Sequence, residues 1–185
     1  MKHFVQVFLF FPLMLLLVLN SFGQTEKSPY PSGFRIEAGI GPGAVMPGGG
    51  LSGRLALAIL YKGWGGTVRG TFHDGRVGTG SSGDWFEPPT EKYNEKALLA
   101  TRVIHTIGNV QLLASGGISM MDGSRLTEDK FDLEPMPQAI GFGGEFEAAY
   151  TGNIVGVTAS LITSINGRAN MVALVLSLSL AGMSK

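Results

Sequence analysis

The chain has 185 residues, with 14 Lys+Arg against 14 Asp+Glu and no cysteine. Balanced charge excludes a general electrostatic attraction to nucleic acid, and without cysteines a disulfide framework is excluded, so stability has to come from packing and backbone pairing. Charged residues make up 15% of the chain, well below the roughly 25% of an average soluble domain.

Met1-Lys2-His3 is followed by an apolar run from Phe4 to Leu19 that Gln6 interrupts. A basic start, an apolar stretch and small residues at the exit predict a secretory signal peptide over 1–23, with Ser21 and Gly23 before a cut at Gln24. Gln6, Pro12 and Asn20 leave the run short of the ~20 apolar residues of a membrane anchor. Residues 24–33 read as a linker and 34–183 as one β-barrel domain. The longest later apolar stretch, Met171 to Ala181, is interrupted by Ser177 and Ser179 and is too short to span as a helix. A closed barrel is the other structure that satisfies every backbone group in lipid.

Apolar residues recur with period two, which predicts strands. Strand one sets Phe34, Ile36, Ala38 and Ile40 against Arg35, Glu37, Gly39 and Gly41. Strand two sets Leu55, Leu57, Ile59 and Tyr61 against Arg54, Ala56 and Ala58. Strand three has Trp64, Val68 and Phe72 opposite Thr67, Arg69, Thr71 and His73. Strand four, about Lys96 to His105, alternates less cleanly, with Leu98 and Ile104 out of phase. Strand five shows one face of Val110, Leu112, Ala114, Ile118 and Met120. Strand six opposes Ile140, Phe142, Phe146 and Ala148 to Gly141, Gly143, Glu145 and Glu147. Strand seven puts Val155, Val157, Ala159 and Leu161 opposite Gly156, Thr158 and Ser160. Strand eight carries the row Val172, Leu174, Leu176, Leu178 and Leu180. The fold class expected is an all-β, antiparallel up-and-down transmembrane barrel of eight strands.

Connections follow a pattern of their own. Lys62-Gly63, Ile107-Gly108 and Gly152-Asn153 are short turns, whereas Asp74 to Glu95 and Met121 to Gln138 read as long loops. Short turns at one end and longer loops at the other are the outer-membrane arrangement, with both termini at the short-turn end. Pro47–Gly50 and Ser164–Arg168 are short as well, so the asymmetry is partial. Phe34, Tyr61, Trp64 and Tyr150 share outward parity at the short-turn end, as an interfacial aromatic girdle requires. Arg35, Glu37, Arg69, Arg102, Glu145 and Glu147 are assigned inward parity and form a candidate charge network in the lumen. An eight-stranded lumen is just wide enough for side chains to fill, and a buried Arg fork pairs well with carboxylate.

In this pattern of strands and connections the chain resembles the small eight-stranded outer-membrane barrels of the OmpA and OmpX type. The resemblance implies outer-membrane insertion, contact with outer-membrane lipid, and a plugged or very narrow lumen. Such barrels usually finish on an aromatic residue, whereas this chain ends Leu180-Ala181-Gly182-Met183-Ser184-Lys185.

Gly39-Ile40-Gly41-Pro42-Gly43 lacks the Lys-Ser/Thr and helix of a phosphate loop, and Glu128 to Glu134 does not have calcium-loop spacing. No cofactor, metal or catalytic residue is expected. A lipid-modifying hydrolase would need Ser, His and a carboxylate facing lipid near the outer rim. His73 lies at that rim but points inward, His105 points outward at the other end, and neither has a serine neighbour at strand spacing. Trp85 and Phe86, beside Asp84 and Glu87, are the loop recognition candidates. The function expected is therefore a monomeric, non-enzymatic barrel with a structural or surface-recognition role. Its two net-acidic loops, 74–95 and 121–138, would meet an extracellular or envelope protein. The competing class is a soluble exported barrel of lipocalin type, in which the Leu174–Leu180 row would line a ligand cavity.

Overall fold

The computed structural model describes residues 32–45, 48–75, 90–127, 132–151 and 154–184. The expected signal peptide and most of the linker, the loop residues Trp85 and Phe86, and the Gly152-Asn153 turn lie outside the described residues. Eight strands follow in chain order: β1 Ser32–Val45, β2 Gly48–Tyr61, β3 Trp64–Asp74, β4 Lys92–Ile107, β5 Val110–Leu126, β6 Leu133–Thr151, β7 Val155–Asn166 and β8 Asn170–Ser184. Each pairs antiparallel with its sequence neighbours, and β1 pairs with β8 from Ser32↔Ser184 to Val45↔Met171, so the sheet closes. Closure removes the open edges that a flat sheet of this size would expose. It is completed by Leu180, Ala181 and Gly182 opposite Ile36, Arg35 and Phe34, with no terminal aromatic.

The alternation fixes which way each strand faces. On β8, Leu174, Leu176, Leu178 and Leu180 are exposed while Ala173, Val175, Ser177 and Ser179 are buried. β1, β2, β3, β6 and β7 have the phase expected of them. The Leu174–Leu180 row therefore points away from the lumen, which contradicts the lipocalin arrangement.

β4 has the opposite phase from that expected. Tyr93, Glu95, Ala97, Leu99, Thr101 and Val103 are buried, and Leu98 is exposed and in phase. A register shift between Val103 and His105 supplies the reason. An extra residue in one strand of a pair resets its alternation, so Ile104 and His105 both face outward. Arg102, opposite Trp64, is consequently not a lumen residue. Glu95, expected in a loop, is within β4.

The segment Met121–Gln138 is the other correction. Pairing continues through Ser124↔Pro135 and Arg125↔Glu134 to Leu126↔Leu133, after a bulge between Met121 and Gly123. Most of the expected loop is thus an extension of β5 and β6, two-stranded beyond Ser124 and clasped there by Arg125 Nε and Glu134 Oε1 at 2.5 Å. Gly123, Pro135 and Pro137 resemble loop chemistry in sequence. A proline can nevertheless sit in a strand with an open side, where its missing N–H interrupts no ladder. β7 pairs with β6 only from Gly141 inward, leaving that side of the extension open.

Two residues, Lys62 and Gly63, connect β2 to β3. Lys62 (φ 52°) and Gly63 (φ 81°) both have positive φ, as a type I′ turn requires. Gly63 accepts this readily; Lys62 is strained by it.

Candidate functional site

Inside the ring, Arg35 and Glu37 from β1, Arg54 from β2, Arg69 from β3, Glu95 from β4, and Glu145 and Glu147 from β6 are all buried. They meet because period two turns each to the same side and closure brings β6 across from β1 and β2. Arg54 is the hub. Its Nη2 donates to Glu147 Oε1 at 2.5 Å, its Nε lies 2.7 Å from Glu145 Oε1, and its Nη1 donates to Glu37. Arg35 pairs with Glu37 and Glu147.

Arg69 forms the second centre. Its Nη2 and Nε donate to the two oxygens of Glu95 at 2.6 and 3.2 Å, and its Nη1 reaches Glu145 Oε2 at 3.2 Å. Glu145 therefore joins the two centres. Thr71 donates to Glu95, and Thr158 donates to Glu37, each at 2.9 Å. Bidentate, charge-assisted contacts of this kind offset the desolvation that an isolated buried ion would suffer.

Two apolar layers enclose these charges. Toward the loop end, Val45, Tyr93, Met121, Met136, Ile162 and Met171 belong to one buried cluster. Toward the short-turn end, Leu60, Val103, Leu113 and Ala149 form another. The charged layer is thus enclosed by hydrocarbon along the barrel axis as well as around it.

Five of the six residues expected in the network are brought together: Arg35, Glu37, Arg69, Glu145 and Glu147. Arg102 is instead outward, with its guanidinium 4.4 Å over the Trp64 ring. Arg54 and Glu95 were missed. Arg54 already had inward parity in sequence beside Ala56 and Ala58, which was signal enough; Glu95 was hidden by the misplaced start of β4. Of the girdle residues, Phe34, Tyr61 and Tyr150 are exposed and Trp64 is half-buried under Arg102. Tyr61 and Trp64 face each other across the first short turn, and Tyr150 opposes Val110 and Val157 near the others.

His73 has no serine at strand spacing along β3, but it has one across the sheet. Ser52 lies opposite it in register, and Ser52 Oγ is 2.9 Å from His73 Nδ1. Cross-strand register, invisible to spacing along one strand, creates the contact. Both side chains are buried on the lumen side.

No protein-family model and no curated protein matches the chain. Solved structures do match its fold. Neisserial surface protein A superposes with a TM-score of 0.63 at 14% identity, over 82% of this chain and 98% of that one. Ail, the attachment invasion locus protein of Yersinia pestis, gives 0.58 at 11% identity, over 83% and 100%. The N-terminal β-barrel domain of Pseudomonas aeruginosa OprF gives 0.54 at 10%, over 83% and 100%. Ail has also been solved with the heparin analogue sucrose octasulfate. The chain thus has the eight-stranded fold of the small outer-membrane barrels.

Proposed function

We propose that the chain is a monomeric, non-enzymatic outer-membrane barrel with a closed lumen, and that its loop end carries recognition. The observation that carries this is the inversion of polarity. The outer wall presents Leu55, Leu98, Ile118, Ile140, Leu176 and Leu178 at more than 60% exposure, while three arginines and four glutamates are buried inside. Water disfavours such a surface; a bilayer requires it. The exported start of the sequence and the aromatic residues at the short-turn end support the same orientation, with short turns toward the periplasm.

At the other end stand the β3–β4 connection and the β5–β6 extension. Segments 74–91 and 122–138 are both net acidic, which favours basic protein surfaces over sulfated glycans of the kind seen with Ail. The buried Ser52–His73 pair contributes polar packing to the lumen in this reading, not hydrolysis.

Ion and solute flux tests the closed lumen. Vesicles containing the barrel should release a trapped small-ion indicator or a monosaccharide no faster than protein-free vesicles. Rapid release would contradict a sealed lumen.

A further inference from the structure

The outer wall near the short turns contains a feature that closing the lumen does not use. A hollow of about 410 Å³ runs over β2, β3 and β4, walled by Leu57, Ile59, Val68 and Leu98. Gly66 lies on its floor, in the row Ile59–Gly66–Ala100. Packing does not demand glycine there. A Cβ on Gly66 would meet only the Leu99 carbonyl oxygen, at an ordinary 3.7 Å. Glycine within a strand costs stability, and what this one leaves is room for hydrocarbon on the outer face.

Tyr61 and Trp64 also line this hollow and are paired across the turn. Arg102 is cross-strand from Trp64 and stacks on its ring at 4.4 Å. Lys62 holds its Nζ 5.4 Å from the centre of the Tyr61 ring. Lys62 also occupies a left-handed turn position that Asn or Gly fills with less strain. That strained turn sets the Lys62 ammonium beside Tyr61 at the edge of the hollow.

We infer that this groove is a binding site for one anionic phospholipid of the leaflet at the short-turn end. An acyl chain lies along Leu57, Ile59, Gly66 and Val68, and the headgroup phosphate is held between Arg102 and Lys62. The guanidinium fork suits a phosphodiester, and each cation near a membrane surface favours an anionic lipid. The site presupposes the membrane-spanning reading proposed for the barrel.

Trp64 reports on its own site once Trp85, the second of the two tryptophans, is replaced by Phe. Full-length barrel carrying Trp85→Phe would be inserted into phosphatidylcholine vesicles containing a minority of acyl-brominated lipid. Brominated phosphatidylglycerol should half-quench Trp64 at roughly one-fifth the mole fraction needed for brominated phosphatidylcholine. Lys62→Asn restores a favourable turn residue and should fold; together with Arg102→Gln it should bring the two lipids to parity. Gly66→Leu should weaken quenching by both lipids while leaving the charge preference in place. Equal quenching by both lipids in the parent would overturn the site and leave the barrel in the membrane. Quenching by neither would contradict the membrane reading itself.

Discussion

Arg54→Met should destabilise the folded barrel by about 3–5 kcal/mol, measured by urea unfolding in phospholipid vesicles. Arg54 contacts Glu37, Glu145 and Glu147 at once. Met fills similar volume, so lost packing contributes little. The substitution leaves four buried carboxylates facing two arginines between apolar layers that admit no easy counter-ion. The penalty is therefore that of unpaired buried charge, larger than the net worth of any single ion pair. Adding Glu145→Gln and Glu147→Gln to Arg54→Met should recover most of the loss, because neutral partners no longer need a cation. A loss below about 1 kcal/mol for Arg54→Met, the range of exposed ion pairs, would mean that water reaches the network.

Leu176→Lys should cost about 2–4 kcal/mol in a bilayer, the penalty for a cation on the lipid face near the midplane. Leu176 is 62% exposed on the outer wall and lies between Ile40 and Ala159 in register. In a water-soluble barrel the same exposed leucine would accept lysine within about 0.5 kcal/mol. The two environments thus predict different outcomes for one substitution. Urea unfolding of the variant and its parent in identical vesicles reads the difference directly. A change of a few tenths of a kcal/mol would place Leu176 in water.

Much of the fold was legible because a two-sided wall writes period two into the chain. Val172 to Leu180 reveals both faces without reference to any other strand. β4 was not legible, because the bulge between Val103 and His105 reverses parity inside a short segment. The phase of His105 carried past that bulge puts Arg102 in the lumen, whereas a start at Lys96 leaves Glu95 in a loop. The β5–β6 extension was concealed by Gly123, Pro135 and Pro137, which a paired ribbon with an open side tolerates. The charged layer was largely readable from parity. The apolar layers around it were not, since Leu113, Met121, Ile162 and Met171 face inward while having the composition of an outward face. Contacts such as Ser52 with His73 and Arg54 with Glu147 depend on register across strands, which no single segment encodes.

The polarity of the wall can be read one residue at a time, because the chain contains no cysteine. Single cysteines from Val172 to Leu180, each carrying an environment-sensitive probe, would be compared in phospholipid vesicles containing a lipid-soluble quencher. Quenching should alternate, strong at positions 172, 174, 176, 178 and 180 and weak at 173, 175, 177 and 179. The opposite phase, or quenching without alternation, would contradict a barrel that turns its leucines to lipid and its charges inward.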